Sequence, residues 1–246
     1  MPFYNGVYFW DFINNNSKKI SYASSFSIDS LPKGCEADYT KWLNEYDLLS
    51  VREKSGISIV KALTGKECVV VLDPVFLLSK EEWNEIETKV ENIPSDYVFL
   101  YLVKYDANMM NHAKRFASDN HLPLYVVLSS QKVIPDQEVH QLIDVGPKEW
   151  LYLMNHANYV LTDSFHGTSF SIIMHKPFVT FVNPAKNTNS RINTILGSLG
   201  LESKAITLSR ATSLKLEQFL YDIDQVKVEL DKLIEASKSF LKAGLD

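Results

Sequence analysis

Cysteine is scarce. Cys35 and Cys68 are the only two in 246 residues, and neither stands in a CxxC or Cys/His cluster, so the sequence offers neither a disulfide framework nor a structural zinc site. A basic excess is also missing: 25 Lys and Arg against 30 Asp and Glu leave a net charge of −5, which argues against a nucleic-acid partner. The longest apolar runs, Val69–Leu72 and Tyr97–Val103, fall far short of the ~20 residues that cross a bilayer. The opening residues lack the basic stretch and small-residue cleavage site of a secretory signal. The location expected from this is cytoplasmic, or peripheral at the inner face of the membrane. No GxGxxG, GxxxxGK[ST] or GxSxG occurs, which disfavours dinucleotide, P-loop and hydrolase-triad sites. The histidines outside position 166 show no metal-ligand spacing, so no metal is expected.

What the chain does have is alternation. Runs predicted as strands (Lys19–Ser25, Leu48–Arg52, Cys68–Leu72, Tyr97–Leu102, Pro123–Val127, Asn158–Thr162 and Pro177–Val182) are separated by amphipathic stretches predicted as helices. These helices are Cys35–Tyr46, Ser55–Leu63, Lys80–Val90, Asn108–Asn120, Pro147–His156 and His166–Met174, with Ser79 and Glu82 as a capping box and Pro147 at a first helical position. Alternating strands and helices build a parallel sheet, and strands apolar on both faces, such as CVVVL and YVFLYLV, suit a sheet covered by helices on both sides. The fold class is therefore α/β, parallel and Rossmann-like. The expected division is an N-terminal α/β part at 1–78, a linker helix at 79–95, an α/β domain at 96–208 and a helical tail at 209–246. The opening segment is unusually aromatic, with Phe3, Tyr4, Tyr8, Phe9, Trp10 and Phe12 close together.

Ligands of such sheets bind beyond the carboxyl ends of the strands, which selects Arg52, Asp73, Asp163 to Ser169, and Asn183 onward. The densest polar cluster is TDSFHGTSFS, residues 162–171, at the end of the apolar run YVL. A helix beginning at Ser169 would present a positive helix end to an anion. Gly167 would let a ligand approach, Thr168 and Ser169 would add hydroxyl donors, and His166 would exchange a proton near neutral pH. On the plainer reading Asp163 or Ser164 caps the helix and His166 is a packing residue. Arg52 and Arg191, both at ends of elements, could clamp a carboxylate or phosphate, or form ordinary surface ion pairs.

Taken together, LLSVREKSG (48–56), LDPVFLLSKEEW (72–83), the Gly146-Pro147 turn, WLYLMNHANYVLTDSFHGTSFSIIMHKPF (150–178), Ser190-Arg191-Ile192 and Leu199-Gly200-Leu201 resemble the polysaccharide pyruvyl transferase family. The resemblance implies a two-domain fold like that of GT-B glycosyltransferases, with an incomplete N-terminal domain and a complete C-terminal one. It implies transfer of a pyruvyl group from phosphoenolpyruvate, as co-substrate, onto two hydroxyls of a sugar to form a ketal. It assigns catalysis to His166, with Asp163 orienting it, and substrate binding to Arg52, Arg191, Ser164, Gly167, Thr168 and Ser169. Relatives often carry Arg-Leu-His-Gly where this chain has Ser164-Phe165-His166-Gly167, which makes Arg191 or Lys176 the substitute cation. The implied partners are phosphoenolpyruvate, a sugar or polysaccharide-repeat acceptor that includes lipid-linked forms, and a second copy of the chain through the aromatic N-terminus. The competing expectations are a non-catalytic binding or regulatory protein and a nucleotide-sugar glycosyltransferase.

Overall fold

The computed structural model describes residues 6–13, 17–130, 132–184, 189–209 and 213–245. In chain order the elements are β1 (Ile20–Ser24), α1 (Glu36–Asn44), β2 (Leu48–Val51), α2 (Lys54–Thr64), β3 (Val69–Val70), α3 (Lys80–Asn84), β4 (Val98–Leu102), α4 (Ala107–Asp119), β5 (Leu124–Leu128), β6 (His140–Gln141), α5 (Pro147–His156), β7 (Tyr159–Thr162), α6 (Phe165–Ile173), β8 (Phe178–Phe181), α7 (Ser190–Ser198), β9 (Ala205–Ile206) and α8 (Ile223–Leu245). Among the described residues every strand pairing is parallel. Phe3 and Tyr4 of the aromatic opening, and 185–188 of the loop before Arg191, lie outside the described residues.

The chain divides into two compact units. The first comprises Met1–Leu77, Lys186–Ile195 and Leu230–Asp246, and the second Leu78–Ala185 and Leu196–Glu229. This departs from the expected division in two places. Residues 79–95 are not a linker: Trp83 packs edge-on against Phe170 at 5.0 Å, and Asn155 donates to both Asn84 and Glu87, which binds the segment into the second unit. The tail at 209–246 is not one body either. Phe219 stacks on Phe116 at 4.3 Å in the second unit, while Ser237 Oγ accepts the Leu72 amide at 2.9 Å in the first.

The second unit holds a six-stranded sheet in the order β6-β5-β4-β7-β8-β9. Its central strands are apolar on both faces, and Val98, Leu100, Val126, Leu161 and Val179 are fully buried. Helix ends are chemically specified. Asp106 accepts the Asn108 and Met109 amides to start α4, Ser79 and Glu82 form a reciprocal capping box on α3, and Pro147 opens α5. The helix expected over Lys80–Val90 stops at Asn84, and the Thr88 amide pairs with Lys148 O rather than continuing a helical ladder. β6 and β9 are two-residue edge strands that the sequence pattern did not reveal.

The first unit holds a three-stranded sheet in the order β1-β2-β3. Leu43, Tyr46, Leu49, Val51, Val60 and Cys68 form its core, with Phe9, Phe26 and Tyr39 packed against it. Phe9 stacks on Trp42 at 4.8 Å, whereas Tyr8, Trp10 and Phe12 are exposed. β1 is irregular: Ser21 pairs with Leu49 but Ser24 with Val51, so β1 carries one extra residue, and Ala23 there takes a left-handed φ of 51°. A non-glycine residue in that region costs of order 1–2 kcal/mol. Here the bulge is held by Ser50, whose hydroxyl accepts the Ala23 amide at 3.0 Å and donates to Ser21 O at 2.7 Å. Among the described residues no helix is long and apolar enough to cross a membrane.

Candidate functional site

The second unit's strand order, rewritten by appearance in that unit, is 3-2-1-4-5-6. Such a doubly wound sheet reverses direction between its first and fourth strands, here β4 and β7, and the crevice beyond their carboxyl ends is where ligands bind. The residues that follow β7 are Asp163 to Gly167. Asp163 Oδ1 accepts the amide of Val103, the residue after β4, at 2.7 Å, and so spans the reversal point.

Ser164 is the N-cap of α6. Its hydroxyl accepts the Gly167 amide at 3.3 Å, and its own amide donates to Thr162 Oγ1 at 3.0 Å. The helix therefore starts at Phe165, four residues earlier than Ser169, and this corrects the expected phosphate cradle. Thr168 and Ser169 fall in the second turn and are fully buried. Their hydroxyls donate back to Ser164 O and Phe165 O at 2.9 Å, and Thr168 also meets Thr180 at 2.8 Å. Gly167 serves packing, because a Cβ there would lie 2.3 Å from Thr162 Oγ1. The absent side chain lets α6 close on the end of β7. Ser164 likewise is a buried cap and offers no hydroxyl to a ligand.

Of the nine residues of α6, only His166 is exposed; the other eight are buried. It stands in the first turn, at the positive end of the helix dipole, where an anion is stabilised. Lys176, considered as a substitute cation, lies beyond the opposite end of α6 and donates to Asn155 O at 2.5 Å, so it does not join this group. Three other histidines are engaged elsewhere: His112 contacts Asn108 O and Ser209 O, His156 contacts Glu87, and His140 stacks on Tyr125.

A second polar group lies in the first unit. Arg52 follows β2, Asp73 follows β3, and Arg191 stands in the first turn of α7. The Arg52 guanidinium pairs with the Asp73 carboxylate, which is 4 % exposed and also accepts the Val75 amide at 3.2 Å. Arg52 is thus already balanced by a carboxylate. Arg191 is half-buried. Burial works most strongly against its charge, the Arg52 charge adds to that, and Glu53 and Asp73 oppose it. An arginine does not give up its proton at ordinary pH, so this group remains a desolvated cation.

Sequence reasoning missed Glu53. It is fully buried, and its Oε1 accepts the Phe26 amide at 2.7 Å, the Ser27 amide at 3.1 Å and the Ser25 hydroxyl at 3.0 Å. A signal for it was present. LLSVREKSG and YVLTDSFHG both run a strand into two polar residues and a Gly five positions after the last strand residue. Glu53 and Ser164 are the matching N-caps, and a Cβ on Gly56 would meet Val51 at 3.0 Å as one on Gly167 would meet Thr162.

Two parallel α/β units, one of them doubly wound with its polar residues at the reversal point, define a GT-B-type protein. Among solved structures, one is similar in fold and two others match more loosely. A Listeria monocytogenes protein assigned as a UDP-N-acetylglucosamine 2-epimerase superposes with a TM-score of 0.50 at 11 % identity, covering 88 % of this chain and 61 % of that one. The Methanocaldococcus jannaschii UDP-GlcNAc 2-epimerase matches at TM-score 0.45 and 15 % identity, over 76 % of this chain and 55 % of that one. The wall teichoic acid polymerase TagF matches at TM-score 0.42 and 11 % identity, over 94 % and 67 %. The chain thus spans about three fifths of the length of the epimerases it matches. No curated protein matches it. The family model of polysaccharide pyruvyl transferases matches residues 1–184, and the chain belongs to that family.

Proposed function

We propose that the protein transfers a pyruvyl group from phosphoenolpyruvate onto two hydroxyls of a sugar within a polysaccharide, or within a precursor of one, and releases phosphate. Two C–O bonds form at C2 of the donor and its C–O bond to phosphate breaks. One hydroxyl proton goes to the methylene carbon, which becomes the ketal methyl, and the other leaves with phosphate. The step needs a group that exchanges protons near neutral pH, and imidazole is that group. The observation that carries the reading is the exposure of His166 alone on an otherwise buried helix, beside the reversal point of a doubly wound sheet. Arg52 and Arg191, in the first unit, are assigned to the donor's carboxylate and phosphate, and Asp163 to holding the turn that bears His166.

The test is phosphate release from phosphoenolpyruvate in the presence of glycoside acceptors. His166→Ala should lower the rate by about 10²-fold or more, the range of a lost general acid–base, while the chain stays folded, because the side chain is exposed. Wild-type turnover in that variant, or no calorimetric binding of phosphoenolpyruvate to the parent chain, would overturn the reading.

A further inference from the structure

The first unit contains a cavity of about 360 Å³ that no catalytic assignment above uses. Its walls are of three kinds. Rings such as those of Phe9, Phe26 and Tyr39 supply flat apolar surface, Ser21, Ser24 and Ser25 supply hydroxyls, and aliphatic side chains of the unit's core close the inner end. We propose that this cavity is the subsite for one pyranose ring of the sugar acceptor, an assignment that rests on the reading given under Proposed function.

The chemistry of the walls selects the ligand. A pyranose has apolar C–H faces that lie on aromatic rings and a rim of hydroxyls that both donate and accept. A purely apolar occupant would take the exposed Ser24 hydroxyl out of water without replacing the hydrogen bonds it makes there, at a cost. A strongly anionic one would find no cation among the described residues that line the space. The volume sits at the low end of the ~300–1,000 Å³ usual for small-molecule sites, which suits a single ring better than a dinucleotide or an oligosaccharide.

The hydroxyl wall is built by departures from regular structure. Residues three apart on a regular strand face opposite sides, yet Ser21 Oγ donates to Ser24 Oγ at 2.7 Å. The extra residue in β1, with Ala23 in its left-handed conformation, turns both serines to one side. Ser21 has one proton and two acceptors in reach, Ser24 Oγ at 2.7 Å and Ser50 O at 3.2 Å, while Ser24 is exposed and presents its hydroxyl at the surface. Ser25 and the Phe26 backbone are held together by a single buried carboxylate oxygen, Glu53 Oε1, while Glu53 Oε2 is buried with no hydrogen-bond partner among the described residues. A strained backbone and an unsatisfied buried oxygen beside a cavity both mark a place shaped for a ligand. Ser50 and Val51, which also line the space, directly precede Arg52, the arginine assigned to the donor.

The experiment titrates the chain with the methyl glycosides of galactose, glucose and N-acetylmannosamine, without phosphoenolpyruvate. Binding is followed by saturation-transfer NMR and by tryptophan fluorescence, since Trp42 stacks on Phe9. At least one glycoside should bind in the millimolar range. Ser24→Ala and Phe26→Ala should each weaken it about tenfold, the loss of one hydrogen bond or one ring contact. Ser24 is on the surface, so its variant stays folded even if Phe26→Ala does not. No binding of any glycoside, or binding indifferent to Ser24→Ala, overturns the subsite. Phosphoenolpyruvate is titrated separately. If it binds while no glycoside does, the subsite falls and the donor chemistry stands; if a glycoside binds with the expected variant sensitivity and phosphoenolpyruvate does not, the subsite is supported and the donor assignment falls.

Discussion

Lys176 shows what burial does to a single charge. Removal from water pushes its ammonium down to about 8, the Lys80 charge adds to the effect, and Glu87 opposes it. Unfolded, the same group titrates near 10.5. Below about pH 8 it is protonated in both states, and the folded protein bears the cost of a half-buried cation. Between about 8 and 10.5 the unfolded chain binds more protons, so stability rises with pH through that window. The Cys68 thiol, pushed up from 9.0 to about 11 mainly by burial, offsets part of that gain above about pH 9, and the buried phenols of Tyr97 and Tyr221, both raised well above 10, oppose it once pH passes about 10. Melting temperatures at pH 7.5 and 9.5 should therefore show a gain at the higher pH that shrinks in Lys176→Met. An equal gain in that variant would mean another group is responsible.

Among the elements, the contact between β7 and α6 decides most about the site. Gly167 stands where any side chain would strike Thr162, whose hydroxyl is itself fixed by donating to Tyr101 O at 2.7 Å. Gly167→Ala should cost about 1–3 kcal/mol in denaturant unfolding and displace the first turn of α6, lowering activity as well as stability. A loss of activity with unchanged stability would instead argue that the glycine admits a ligand. This element pair also shows what the sequence could convey. The strand YVLT was legible because both its faces are apolar, and His166 because a histidine after a capping serine is unusual. Thr168 and Ser169 were misread because a hydroxyl one turn inside a helix looks the same in sequence as one at its mouth. Their back-donation to carbonyls follows only once Ser164 is known to be the cap. Glu53 escaped because a charge after a strand ordinarily faces water, and its three donors come from a loop more than twenty residues earlier.

On the scale of the whole molecule, the α/β class was readable from alternation, but the division into units was not. Residues 186–195 and 230–246 belong with the first unit, and no local pattern announces such a return. The Leu72–Ser237 hydrogen bond, for instance, joins residues 165 apart in sequence. Taken separately, the two units differ in how well their backbones are protected. In the second, β4, β5, β7 and β8 each have strands on both sides, and their side chains are almost entirely buried. In the first, only β2 is flanked on both sides; β1 is bulged, and both valines of β3 are exposed, at 46 % and 36 %. Local opening costs least where few apolar contacts are lost and the hydrogen bonds already border water. Native-state hydrogen exchange followed by mass spectrometry should find peptides of β4 and β7 slowest, β2 intermediate, and β1 and β3 fastest. If β1 is protected as strongly as β4, the bulged strand is no local weak point, and the strain assigned to Ala23 is offset by packing that its neighbours do not explain.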